Sequence, residues 1–419
     1  MTVRTNALPV RAVLLAFEGP DPYSLVGGLG TRVTEMSAAL AAAGVETTLI
    51  FVGDPQRPAV ERPAPNLEYR RWCQWISAYH PANVYDGEAG KSLDYAASVP
   101  SFVAGAIVEP AARAGEDVLI VGEDWQTAPA VIGLDRSLRE LGLRHRATIL
   151  WNANNTYGFG EIDWPALTAA ARITTVSRYM KFELHARGVD SLVVPNGIPS
   201  RIVGGPPDEL VRDLETALID KHPLLIKVGR YDEDKRWMQA IDAFALVRER
   251  HPRATLVVRG GREPYGEHVM ARAAELGLQV DDVSLASREP ETFLQALGAA
   301  RAPIVNLRTF VPEDVLFALY HAADAVLANS GKEPFGLVGL EVMAASGVAV
   351  TGSTGEDYAQ PFENAVVCDT DDPRELASYL ETLIADPVLA RSIRVAGEAT
   401  AERCTWDAVF EILARKLDW

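Results

Sequence analysis

The chain has 419 residues, 48% hydrophobic and 23% charged, with a formal net charge of -17. This length exceeds one ordinary core and predicts two domains of about 200 residues each. The acidic balance disfavours nucleic acid and anionic lipid as partners, since both reward clustered Lys and Arg, and no apolar run is long enough to span a bilayer.

Taken in order, residues 1–9 hold too short an apolar run for a secretory signal, so the expected location is cytoplasmic. A buried strand is predicted over 12–17, a glycine loop at Gly27-Gly28-Leu29-Gly30, a helix through Ala43 with Thr31 as a cap, and a strand over 46–52. Strand, loop, helix and strand make a right-handed βαβ unit with a parallel sheet. Residues 54–116, punctuated by Pro58, Pro63, Pro65, Pro81 and Pro100, read as irregular decoration near a cleft. Strands over 117–121 and 147–151 continue the sheet, Ser177 is placed to cap a helix, and Asn196-Gly197 reads as a turn. A second cycle follows, with strands over 223–229, 254–259, 283–285, 302–307 and 322–329 and helices over 238–250 and 337–346. A last amphipathic helix is expected from about Ala401 to Leu417. The expected domains are 1–205 and 206–400, with 401–419 as a terminal helix. Cys73, Cys368 and Cys404 show no paired or metal-ligand spacing and read as free thiols.

Two motifs carry the chemistry. In Lys332-Glu333-Pro334-Phe335-Gly336-Leu337, a turn joins a strand to a helix, and the first N–H groups together with the helix dipole favour an anion such as a diphosphate. Glu333 precedes that helix and Glu341 lies about one turn inside it, so both carboxylates can reach hydroxyls of one elongated ligand. At the end of the strand over 223–229 stand Arg230 and, five positions later, Lys235, two cations able to neutralise the phosphates of a departing diphosphate. Only seven of the 40 basic residues are lysine, which gives Lys235 added weight, because the two cations are not interchangeable at a phosphate. Asp232-Glu233-Asp234 could hold a divalent metal, but a three-residue pattern is common, and these acids are read as loop residues with no metal. Gly27-Gly28 lacks the spacing of a dinucleotide fingerprint. Glu123, Asp124, Asn154 and Asn155 follow strands, where loops of an open parallel sheet face the ligand crevice. They suggest an amide-rich pocket without a titrating group. Trp125, Trp151 and Tyr157 suit core packing at least as well as sugar stacking, and Arg308 follows a strand near the expected nucleobase.

The Glu-x7-Glu block, the Gly-Arg-x4-Lys element and the Gly-Gly-Leu-Gly loop together resemble family-4 retaining glycosyltransferases (glycosyl transferases group 1), a set that includes glycogen-synthase-like enzymes. The resemblance implies an α/β GT-B architecture: two facing Rossmann-like domains, with the terminal helix crossing back to the first. It implies a nucleoside-diphosphate sugar as co-substrate on the second domain, a soluble small-molecule or glycan acceptor on the first, no metal and no other cofactor. Carried over residue by residue, Arg230, Lys235 and Glu333 are catalytic. Gly28, Asn154, Arg308, Phe335, Gly336, Leu337 and Glu341 bind the donor, while Gly27, Glu123, Asp124 and Asn155 lie on the acceptor side. Leu25 stands where glycogen synthases carry a lysine, which disfavours a polyglucan synthase, and Glu123 and Asn154 stand where they carry histidines, which implies an amide-rich sugar-facing pocket. A nucleotide-sugar epimerase and a nucleotide-sugar-binding pseudoenzyme remain as alternatives, since fold alone does not exclude them.

Overall fold

A computed structural model describes residues 8–417 and residue 419, so most of the segment read for a signal lies outside the described residues. The chain divides into two compact units, one running to Pro199 and including Thr405–Trp419, the other spanning Ser200–Cys404.

The first unit is built on β1 (Arg11–Leu15), β2 (Glu46–Val52), β3 (Val60–Ala64), β4 (Leu67–Trp72), β5 (Val118–Glu123), β6 (Ala147–Ala153), β7 (Arg172–Thr175) and β8 (Leu192–Val193). Their order is β3-β4-β2-β1-β5-β6-β7-β8, parallel except where β3 pairs antiparallel with β4. Residues 12–17 are all but fully buried, as a central strand covered by helices on both faces requires.

Two expectations fail here. Residues 54–116 are not irregular: they supply β3 and β4, then a helix at Glu88–Phe102 that continues through a π-helical stretch at Val103–Val108. The prolines misled because Pro63 sits on an edge strand, where a missing N–H costs little, and Pro100 sits just before the π-helical turns, where the backbone ladder is already altered. Thr31 lies inside the helix Gly28–Ala42, which starts at Gly27 without a side-chain cap.

The second unit carries β9 (Leu224–Val228), β10 (Thr255–Arg259), β11 (Val280–Val283), β12 (Ile304–Leu307), β13 (Ala325–Ala328), β14 (Ala349–Thr351) and β15 (Val366–Val367). The sheet is all parallel, in the order β11-β12-β10-β9-β13-β14-β15. The strand expected over 283–285 lies earlier, at β11. The final helix begins at Trp406, because Ala401 belongs to the preceding helix Pro387–Glu402. Trp406, Phe410 and Leu413 pack with Leu14, Val33 and Leu40 of the first unit's core, each side chain stabilising the fold by roughly 1.5 to 3 kcal/mol.

Strand order reverses between β1 and β5 in the first sheet and between β9 and β13 in the second. In open parallel sheets, loops leaving such a switch point at the carboxyl ends bound the ligand crevice.

Candidate functional site

In the second unit the loops after β9, β13 and β14 converge. The first holds Arg230 and Lys235, with Lys235 in a 3-10 turn (Glu233–Lys235) that Asp232 caps by accepting the Asp234 N–H at 3.0 Å. The second holds Glu333, whose carboxylate pairs with the Lys235 ammonium. A backbone bond of 2.6 Å from Gly331 to the Asp234 carbonyl ties the two loops together. Arg230 is exposed, and its side chain makes no ion pair among the described residues.

The third loop buttresses the second. Thr354 Oγ1 accepts the Glu333 N–H at 2.9 Å and donates toward the Gly331 or Glu333 carbonyl, at 3.2 and 3.3 Å. Gly355 packs so tightly that a Cβ there would come within 2.0 Å of the Glu333 carbonyl oxygen, so a side chain would displace the loop. Gly336, at φ 75, forms the N-cap of the helix Leu337–Ala344, a left-handed conformation that glycine adopts freely. Among the described residues, no protein acceptor takes the N–H groups of Phe335, Gly336 and Leu337. Three unpaired donors at a helix start favour an anion. Glu341, partly buried, is the fifth residue of this helix. Arg308 is mostly exposed beyond β12 and donates to Asp282 at 3.1 Å.

Sequence reasoning missed two groups here. Lys227, in β9, is 2% exposed and bonds the Leu327 carbonyl at 3.2 Å and Asn329 Oδ1 at 2.6 Å, with Trp237 beneath it. Burial first, then Lys235, lower its pKa to about 7. The available signal was a lysine inside an apolar strand of an arginine-rich chain. The other is Glu356, buried beside Gly336.

In the first unit the loops after β1, β5 and β6 form a polar cluster. Gly27 lies on a loop whose N–H groups are already used: Glu18 Oε2 accepts from Val26, Gly27 and Gly30 at 3.3, 3.0 and 3.0 Å, and Tyr85 donates to Glu18 Oε1 at 2.5 Å. Gly28 is exposed, and a Cβ there would meet open space, so its own geometry demands no close approach. Glu123, fully buried, pairs with Arg32 at 3.1 Å and accepts from Asn152 and Asn154 at 3.0 and 2.6 Å. Asp124 accepts from the Asn154 N–H and from Asn155 Nδ2, both at 2.8 Å, bringing the four residues together. Trp151 is core and Tyr157 is exposed.

The expected absence of a titrating group is overturned. Burial, then Glu123 and Glu18, push the Asp124 carboxyl up to about 7 against the pull of its Asn154 hydrogen bonds. Asp124 is also held at φ 60, an uncommon conformation for a residue with a Cβ. Ser177 caps its helix by accepting the Met180 N–H at 3.2 Å, and Asn196 accepts from Arg32. Among the described residues, no three His, Cys, Asp or Glu side chains are grouped to hold a metal, and no helix is long and apolar enough to cross a membrane.

Residues 213–400 match the family model for glycosyl transferases group 1. The match lies within the second unit. The glycogen synthase of Mycobacterium tuberculosis (strain CDC 1551 / Oshkosh) is 30% identical over 189 residues, covering 44% of this chain and 40% of that protein. The chain spans less than half the length of the curated relatives it matches. A sucrose-phosphate synthase from Thermosynechococcus elongatus has a similar structure, with a TM-score of 0.66 at 19% identity over 97% of this chain and 98% of that one. The Anabaena protein HepE in complex with UDP gives 0.64 at 15% identity, over 97% and 99%. Two Rossmann-like units, one carrying the group 1 domain, make this a GT-B architecture.

Proposed function

We propose that this chain is a retaining, metal-independent glycosyltransferase that moves a sugar from a nucleoside-diphosphate sugar to a soluble acceptor in the cytoplasm. The observation that carries the reading is the pairing of Lys235 with Glu333 beside the free N–H groups of Phe335, Gly336 and Leu337, at the switch point of the group 1 domain. In this reading the two cations Arg230 and Lys235 and those N–H groups stabilise charge that grows on the leaving diphosphate. Glu333 holds Lys235 and orients sugar hydroxyls. Glu341 accepts ribose hydroxyls, and Arg308 borders the nucleobase. In the first unit Gly28 and Asn154 are assigned to the donor, and Gly27, Glu123, Asp124 and Asn155 to the acceptor. The leaving phosphate takes the acceptor's proton, so the reaction requires no separate general base.

Asp124 favours a second reading, a nucleotide-sugar epimerase, since a carboxyl titrating near 7 is suited to proton transfer. One experiment separates the readings. The protein is incubated with UDP-, ADP- and GDP-sugars, with and without a panel of sugar and polyol acceptors, in the presence and in the absence of EDTA. Acceptor-dependent release of nucleoside diphosphate with the anomeric configuration retained supports the transferase. Epimerised donor without release supports the epimerase, and binding without either product supports a pseudoenzyme. Loss of transfer on chelation, restored by magnesium or manganese, overturns metal independence.

A further inference from the structure

The loop after β14 places Glu356 where the proposed chemistry has no role for it. Its side chain is 6% exposed, and Oε2 has no hydrogen-bond partner. It lies against Gly336, where a Cβ would come within 2.6 Å of Glu356 Oε1. The carboxyl therefore sits beside the N-terminal turn whose unpaired N–H groups favour an anion. A buried polar atom left without a partner carries a desolvation cost, so its retention calls for a physical reason.

The groups facing Glu356 are Glu333 from the loop after β13, Lys235 from the 3-10 turn, and Tyr358 on its own loop, which donates to the Gly336 carbonyl. Burial, and secondarily Glu333, push the Glu356 carboxyl up to about 8, against smaller opposing effects that include Lys235. As a carboxylate it would repel a phosphate at the helix start. As a carboxylic acid it offers an O–H.

Resting on the nucleotide-sugar reading, we propose that Glu356 acts as a neutral carboxylic acid that donates its O–H to a phosphate oxygen of the nucleoside diphosphate seated at Gly336. Ionising Glu356 then removes a donor and adds a like charge, so affinity falls as pH rises. A glutamine in its place keeps an N–H donor and cannot ionise.

The test is calorimetry of UDP, ADP and GDP binding to the full chain and to Glu356→Gln at pH 7 and pH 9. Wild-type affinity for whichever diphosphate binds is expected to be about tenfold lower at pH 9 relative to the variant, after normalising the two proteins at pH 7. Titration of Lys227 acts on both proteins and cancels in that ratio. Thermal unfolding supplies a readout independent of ligand. Because the folded pKa lies above the ordinary glutamate value of 4.5, the stability present below 4.5 is lost as pH rises to about 8, a loss that Glu356→Gln escapes. Diphosphate binding with a ratio unchanged by pH overturns the inference and leaves the proposed function standing. Parallel stability profiles likewise overturn it. Failure of all three diphosphates to bind either protein overturns the proposed function and this inference with it.

Discussion

Lys235 and Glu333 are separated by 98 positions, yet their side chains form an ion pair where the loops after β9 and β13 meet. Both side chains are only partly exposed, 28% and 17%, so the pair is neither a surface decoration nor a sealed core bridge. Each residue holds the other's charged head at the carboxyl end of the sheet. In the proposed function that cross-bracing supplies the preorganisation electrostatic catalysis requires, because the groups need not rearrange as charge develops.

Lys235→Ala is therefore expected to lower turnover at saturating donor by about 100-fold or more. Thermal unfolding should change little, since a partly exposed pair contributes roughly 1 kcal/mol or less. Near-normal turnover would remove Lys235 from the phosphate cradle.

Glu341→Gln should weaken nucleoside diphosphate binding by about tenfold, since a hydrogen bond to a charged group contributes roughly 1.5 to 3 kcal/mol. Affinity for acceptor alone should stay constant. Calorimetry with each ligand separately checks both, and equal weakening of the two would make Glu341 a structural helix residue.

Asp124 gives the first unit a pH dependence of its own. Its folded pKa, about 7, lies above the ordinary aspartate value of 3.8, so the stability present below 3.8 is lost as pH rises to about 7. Asp124→Asn keeps the shape of the side chain and cannot ionise, so its unfolding temperature should rise relative to wild type across that window. Parallel curves for the two proteins would show that the carboxyl ionises normally in the fold.

Glu18→Ala should leave the N–H groups of Val26, Gly27 and Gly30 without their acceptor. Hydrogen exchange at those three amides is expected to accelerate by tenfold or more, while the centre of β1 keeps its protection. Unchanged exchange would mean that the loop holds its shape without Glu18.

Local pattern was enough for the alternation of buried strands with helices, because hydrophobic period and glycine breaks act over a few residues and report directly on burial. It likewise marked Glu333, Glu341, Arg230 and Lys235, whose spacing lies within single strand-to-helix junctions. It misjudged residues 54–116, where proline signals are ambiguous until the sheet edge and the π-helical turns are known. It was silent on everything made by contact across the sheet. The Lys235 pair depends on β9 lying next to β13, the Asp124 pKa depends on burial and on Glu18 arriving from the loop after β1, and the buried Glu356 depends on β14 bringing its loop against Gly336. Burial and charge proximity are properties of neighbours in space, so a carboxyl group's proton affinity is decided only when the chain has folded.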